Sequence, residues 1–145
     1  MAKSLYHWIS GEKLHQQRGK FGDVFDPATG DVVSRVPFAG VEEISAAINA
    51  ATEALPNWAA TPPIQRARVM FRFKALLEEH MDEIAVLVSS EHGKTLEDAR
   101  GSITRGLEVV EFACGIPHLL KGEFTEQVGT NVDSYSLRQP VGVCA

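Results

Sequence analysis

The longest helical pattern in the chain runs from Glu91 to Glu123, EHGKTLEDARGSITRGLEVVEFACGIPHLLKGE, and it carries two apolar stripes instead of one. At 100° per residue, Leu96, Ala99, Ile103, Leu107, Val110 and Cys114 share one face, at the three-and-four spacing of a helix laid on a core. Val109, Phe112 and Ile116 line the opposite side, and Arg105 continues that second stripe one turn toward the N-terminus. Between the stripes, Arg100, Thr104, Glu108 and Glu111 form a polar flank suited to water, while Ser102, Gly106 and Ala113 form a flank of small residues against which another backbone can pack. The pattern predicts a helix covered on both sides.

A cation among apolar side chains must stay solvated or paired, because removing it from water alone costs several kcal/mol, on the order of the buried-ion penalty. Arginine cannot escape that cost by losing its proton. Two readings of Arg105 follow. Glu108 stands three residues on and Asp98 two turns back on the same side, so the arginine can serve a surface ion pair worth roughly 0.2–0.5 kcal/mol. Alternatively its planar fork, which matches a carboxylate through two parallel N–H bonds, forms an anion receptor at the wall of a pocket.

The rest of the chain has other periods. Over residues 1–40, short β-prone runs alternate with turns: YHWI precedes Ser10-Gly11-Glu12, and Val24-Phe25 is separated from Val32-Val33-Ser34-Arg35-Val36 by Asp26-Pro27-Ala28-Thr29-Gly30. From Val41 the apolar positions Ile44, Ala47, Ile48, Ala51 and Leu55 repeat at helical spacing, and Pro56 is expected to stop that helix. Thr61 reads as the N-cap of a second helix with Pro62 in its first position, carrying Val69, Phe73, Leu76 and Leu77 and fraying near His80. A third helix from Met81, with Ile84, Leu87 and Val88, closes at Gly93, a residue free to take the left-handed conformation. Thr95 and Asp98 stand at capping-box spacing ahead of the two-striped helix, which Pro117 should kink or end. Beyond it NVDSYSLRQ and PVGVCA read as strands broken at Pro140. The class is α+β: N-terminal strands and turns, about four helices, and C-terminal strands.

Composition narrows the partners. With 14 basic and 19 acidic residues in 145, the net charge of −5 argues against nucleic acid or an anionic membrane surface. The densest basic run, Arg66, Arg68, Arg72 and Lys74, is followed at once by Glu78 and Glu79, the mark of a solvated or ion-paired face. The start, MAKSLYHWISGEK, lacks the apolar core of a signal peptide and the arginines of a transit peptide, and the aliphatic run Ile84 to Val88 is too short to span a bilayer, so the expected location is cytoplasmic. Two cysteines, Cys114 and Cys144, fit a reducing compartment better than a disulfide framework. One domain of this length, if compact, would bury roughly 68–70% of its unfolded surface.

Several motifs fail on inspection. Gly93-Lys94-Thr95 ends like a phosphate-binding loop, but that loop needs glycine where Val88 stands. The histidines at 7, 15, 80, 92 and 118 show no zinc-ligand spacing, so no metal site is expected. His92 beside Glu91 has no serine or cysteine nucleophile placed by sequence to serve, and Cys114 belongs to the inner stripe as a small hydrophobe.

The segments RARVMFRFKALLEEHMDEIA, SSEHGKT and RGLEVVEFACGIPHLLKGE closely resemble the N-terminal part of the CoA-acylating methylmalonate-semialdehyde dehydrogenases, a branch of the aldehyde dehydrogenase superfamily. The likeness extends through FDPATGDVVSRVPFAGVEEISAAINAA and PNWAATPPIQRA upstream and SYSLRQPVGV downstream; the first residues and the stretch from Glu126 to Asn131 look generic. The resemblance implies an incomplete part of an aldehyde dehydrogenase α/β fold, with strands and turns over 1–40, a helical region over 41–121, an oligomerisation-type strand over 131–139, and the start of a nucleotide-binding sheet over 141–145. It implies an enzyme that uses NAD and coenzyme A to oxidise methylmalonate or malonate semialdehyde to propionyl-CoA or acetyl-CoA, in valine and inositol catabolism, as a homo-oligomeric dimer or tetramer. Arg105 is then expected to hold the substrate carboxylate. The nucleophilic cysteine is expected beyond Ala145, in a context that neither Cys114 nor Cys144 shares, and the oxyanion asparagine just past that point; no catalytic, cofactor-binding or metal-ligating residue is expected within the chain. It is thus expected to be a truncation, inactive alone. Two alternatives stay open: an aldehyde dehydrogenase for another aldehyde that releases a free acid through water, and a non-catalytic module assembling with complete subunits through its strands.

Overall fold

The computed structural model describes residues 3–15 and 19–145. In chain order the elements are β1 (Lys3–Ser4), β2 (His7–Ile9), β3 (Glu12–Leu14), β4 (Phe21–Phe25), β5 (Val32–Pro37), α1 (Val41–Ala60), α2 (Pro63–Glu79), α3 (Met81–His92), α4 (Leu96–Cys114), α5 (Ile116–Leu119), β6 (Phe124–Gly129) and β7 (Val132–Tyr135). The α+β class stands. The strands form three small sheets, β1-β5-β4, β2-β3 and β6-β7, of which only the β1–β5 pairing is parallel.

The N-terminal turns follow from their residues. Ser10 and Gly11 both have positive φ, at 56° and 78°, as a tight two-residue hairpin turn between β2 and β3 requires. In the loop from β4 to β5, the Asp26 carboxylate accepts from the Ala28 amide at 2.8 Å and the Asp26 carbonyl from the Gly30 amide at 2.8 Å. This loop reaches the helical layer: a Cβ on Gly93 would sit 3.1 Å from Pro27 Cγ.

The helix ends depart from the sequence reading in two places. Pro56 lies inside α1, which continues to Ala60. One missing amide and a local clash cost less than ending a 20-residue helix there. Thr61 is therefore the C-cap of α1, its hydroxyl donating to the Asn57 carbonyl at 2.8 Å, and α2 starts at Pro63 with Pro62 in the N-cap position. Gly93 does close α3 with φ 70°, and the Thr95 hydroxyl caps α4 by accepting from the Asp98 amide at 3.2 Å. The break at the far end falls at Gly115, ahead of Pro117, which sits in the first turn of α5.

Helices α2 and α3 pack on α4, and α5 on α2. The contacts close on small side chains: Ala67 of α2, Ala85 of α3 and Ala99 of α4 are fully buried, with Val110 and Cys114 nearly so. The large residues expected in the helical cores, Ile44, Ile48, Val69, Phe73, Leu76 and Leu87, are exposed instead. The polar flank of α4, Arg100, Thr104, Glu108 and Glu111, is exposed as the pattern predicts. Two of its residues also reach neighbouring helices: Arg100 donates to Asp82 of α3 at 2.8 Å, and Glu111 pairs with Lys74 of α2 at 3.3 Å.

At the C-terminal end, β6 and β7 form an exposed hairpin with Gln127 and Asn131 at positive φ. The stretch that looked generic is therefore most of a strand and its turn, and the strand expected over 131–139 is confined to Val132–Tyr135. Residues 141–145 pair with no strand; Gly142, Val143 and Cys144 lie against Ala51, Ala54, Leu55 and Trp58 of α1 around a cavity of about 320 Å³. The accessible surface totals 11444 Å². A compact monomer of this mass would expose roughly 7,300 Å², so the chain buries about half of its unfolded surface instead of the two-thirds expected of a closed domain.

Gly93→Ala should lower the urea midpoint by an amount equivalent to about 1–2 kcal/mol, because a Cβ at positive φ meets Pro27. Gly106→Ala, inside α4 with open space around it, should raise the midpoint by up to about 1 kcal/mol. A second measurement concerns Lys74, whose pKa is raised above 10.5 chiefly by its hydrogen bond to Glu78; desolvation opposes this, and the hydrogen bond to Glu111 adds a smaller upward push. A raised folded pKa means that the stabilisation is complete below 10.5 and fades as pH rises through the folded value. The stability gap between the natural chain and Lys74→Met should hold at neutral pH and narrow in alkali above that point.

Candidate functional site

The face of α4 turned away from the α2 and α3 contacts is open. Val109 is 69% exposed and Phe112 68%, so the second stripe predicted from periodicity exists and has no cover among the described residues. Arg105 stands on that face, exposed as well. Neither Glu108 nor Asp98 pairs with it: the ion pairs among the described residues are those of Arg35, Lys74, His80 and Arg100. The surface-ion-pair reading left open by the sequence is thereby removed.

What Arg105 does contact is Ser102, whose Oγ accepts from its Nη2 at 3.2 Å. The two residues are three apart on one helix and so share a face. The same Oγ accepts from the Nζ of Lys94 at 2.9 Å, and it donates its own proton to the Asp98 carbonyl at 3.1 Å. One hydroxyl thus uses its proton inward on the helix and offers its lone pairs to two cations. Bonds of 2.9 Å and 3.2 Å to one oxygen keep the two cationic nitrogens within about 6 Å of each other. Like charges at about that separation repel by about 0.7 kcal/mol in bulk water and about 3 kcal/mol at an effective dielectric of 20.

Lys94 reaches this position through the local backbone. The left-handed Gly93 turns the chain out of α3, and the Ser89 hydroxyl donates to the Lys94 carbonyl at 2.7 Å, fixing the residue just ahead of α4. Sequence reasoning missed both partners. The sequence reading meets Lys94 only in a failed phosphate-loop motif and Ser102 only in a flank of small residues; the one available signal is that Ser102 and Arg105 stand three apart.

The other candidates stay apart from this face. His92 is exposed at the last residue of α3. Cys114 is buried under α4 and Cys144 is exposed near α1. Among the described residues no three His, Cys, Asp or Glu side chains gather as a metal site. The Thr95 side chain caps α4, and Lys94 Nζ donates to Ser102. The cavities of about 230, 320 and 410 Å³ lie along α1, α2 and the chain ends, not against Arg105.

Comparison with known proteins places the chain in a family. The model of the aldehyde dehydrogenase family matches residues 14–145, and the chain belongs to that family. It is 49% identical to the malonate-semialdehyde dehydrogenase of Pseudomonas aeruginosa over 98% of its own length and 28% of that protein's. It is 48% identical to the mitochondrial acylating methylmalonate-semialdehyde dehydrogenase of Arabidopsis thaliana over 94% of its length and 23% of the relative's. Among solved structures, a Sinorhizobium meliloti protein assigned as a methylmalonate-semialdehyde dehydrogenase and complexed with NAD superposes with a TM-score of 0.92 at 49% identity, covering 98% of this chain and 29% of that one. The methylmalonate-semialdehyde dehydrogenase of Oceanimonas doudoroffii gives 0.90 at 47% identity, covering 95% and 28%. The chain therefore spans under a third of these relatives, and its fold is that of their N-terminal portion.

The two thiols separate cleanly by burial. Iodoacetamide applied to the folded chain should label Cys144 and leave Cys114 unmodified until urea unfolds α4, with mass spectrometry of the peptides as the readout.

Proposed function

We propose that the chain is the N-terminal part of an NAD-dependent, CoA-acylating dehydrogenase that converts methylmalonate or malonate semialdehyde to propionyl-CoA or acetyl-CoA, and that Arg105 holds the substrate carboxylate. The observation that carries the reading is an exposed guanidinium at the end of an apolar stripe with no carboxylate partner among the described residues. Such a face suits a ligand with one charged end and a short carbon chain: the guanidinium meets the acid, and Val109 and Phe112 supply the apolar wall. The names of the relatives at 48–49% identity support the same substrate class.

On this reading the thiol that attacks the aldehyde, the oxyanion donors and the NAD and coenzyme A sites belong to other parts of the enzyme, so the 145 residues alone are inactive. NAD, when bound, accepts hydride; what this chain's residues do is bind and orient the acid. Residues 131–139 supply a strand for subunit contact in a homo-oligomer, and 141–145 lead into the nucleotide-binding sheet. Among the described residues no helix is long and apolar enough to cross a membrane. The location proposed, from the composition of the N-terminus, is cytoplasmic.

In the complete enzyme, NAD reduction with malonate semialdehyde should require coenzyme A, and Arg105→Ala should cut kcat/KM by roughly 100-fold, the order set by losing charge-assisted hydrogen bonds of about 1.5–3 kcal/mol each. Propanal, the same length of carbon without the acid, should be turned over equally by both forms. A free-acid product formed without coenzyme A, or an equal loss on both aldehydes, would overturn the proposal.

A further inference from the structure

We infer that Lys94 is a second cation of the Arg105 site, tied to it by Ser102, so that an arriving carboxylate is gripped by an ammonium as well as a guanidinium. This rests on the reading of Arg105 as the acid receptor. The geometry that points to it is the sharing of one oxygen: Lys94 Nζ and Arg105 Nη2 both donate to Ser102 Oγ, at 2.9 Å and 3.2 Å. Other described cations meet carboxylates or backbone carbonyls singly: Arg66 donates to Thr61 and Arg138 to Lys121. Arg35 meets Asp23, Lys74 meets Glu78 and Glu111, and Arg100 meets Asp82. Lys94 and Arg105 stand side by side with no carboxylate on either among the described residues, and each has N–H groups beyond the one spent on Ser102.

Ser102 decides the arrangement. Its proton is committed to the Asp98 carbonyl, so toward the two cations it can only accept, and it holds them together where their charges alone would part them. The two oxygens of one carboxylate can then be shared, one taking the remaining donors of the guanidinium and the other those of the ammonium. Lys94 is a specificity-determining residue: it favours substrates with an acid at the far end and contributes nothing to an uncharged aldehyde.

Two measurements test this. In the complete enzyme, malonate used as a probe should compete with malonate semialdehyde, and Lys94→Met should raise the malonate concentration needed about tenfold, while Lys94→Arg restores most of the affinity. In the complete enzyme, Lys94→Met should raise KM for malonate semialdehyde about tenfold with kcat nearly kept, leave propanal kinetics unchanged and weaken the dependence of KM on ionic strength. Ser102→Ala, which keeps both charges, should raise KM severalfold. If Arg105→Ala discriminates against the acid-bearing aldehyde and Lys94→Met does not, the role given to Lys94 is wrong and the receptor reading survives. If Lys94→Met slows both aldehydes alike, its part is structural and the inference fails; if neither variant discriminates, both readings fall.

Discussion

Everything about the open face of α4 depends on how closely its other side is approached. Ala67, Ala85 and Ala99 are fully buried in helices that pack together, and side chains this small allow α2 and α3 a close approach to α4. Close packing of this kind gains dispersion energy over many short contacts without needing a large side chain. It also fixes the rotation of α4 about its axis, and that rotation alone decides that Val110 and Cys114 point inward while Arg105, Val109 and Phe112 point out. The ion pairs from Arg100 to Asp82 and from Glu111 to Lys74 act at the edges of the same contact and set its register.

Given that rotation, the junction before α4 completes the site. A left-handed glycine ends α3, a threonine caps α4, and between them Lys94 has its backbone pinned by Ser89 and its side chain laid along the new helix to Ser102. The turn is thus structural and chemical together. The same few residues that reverse the chain direction carry a charge to a place that α4 alone could not supply. In the relatives that the chain resembles by sequence and fold, this portion is less than a third of the whole.

Much of this was legible beforehand, for identifiable reasons. The two stripes of α4 were readable because helical periodicity is strong over nineteen residues, and Gly93 and Thr95 because their end-of-helix chemistry is local. Pro56 misled because the cost of one proline is smaller than the gain from continuing a helix whose flanks already pack. Periodicity named Ala99, Val110 and Cys114 of the core, but it says which face turns inward and not which residue on it meets a neighbour, so in α2 and α3 it is Ala67 and Ala85 that are buried while Val69, Phe73, Leu76 and Leu87 are exposed. The β6 strand was hidden because Phe124 to Gly129 is exposed throughout and shows no alternation for a two-residue period to reveal. Of the site, Arg105 was visible as an exception within a pattern, whereas Lys94 lies outside the helix and becomes its neighbour only through the turn.

The order of the helices along the chain has a temporal corollary. Because α2, α3 and α4 follow one another directly and both α2 and α3 pack on α4, closing the loops between them costs little entropy. Topologies of such short range assemble fast. This trio can therefore condense early in biosynthesis, with an unclad greasy strip and its two positive charges turned outward, a surface of the kind that chaperones hold.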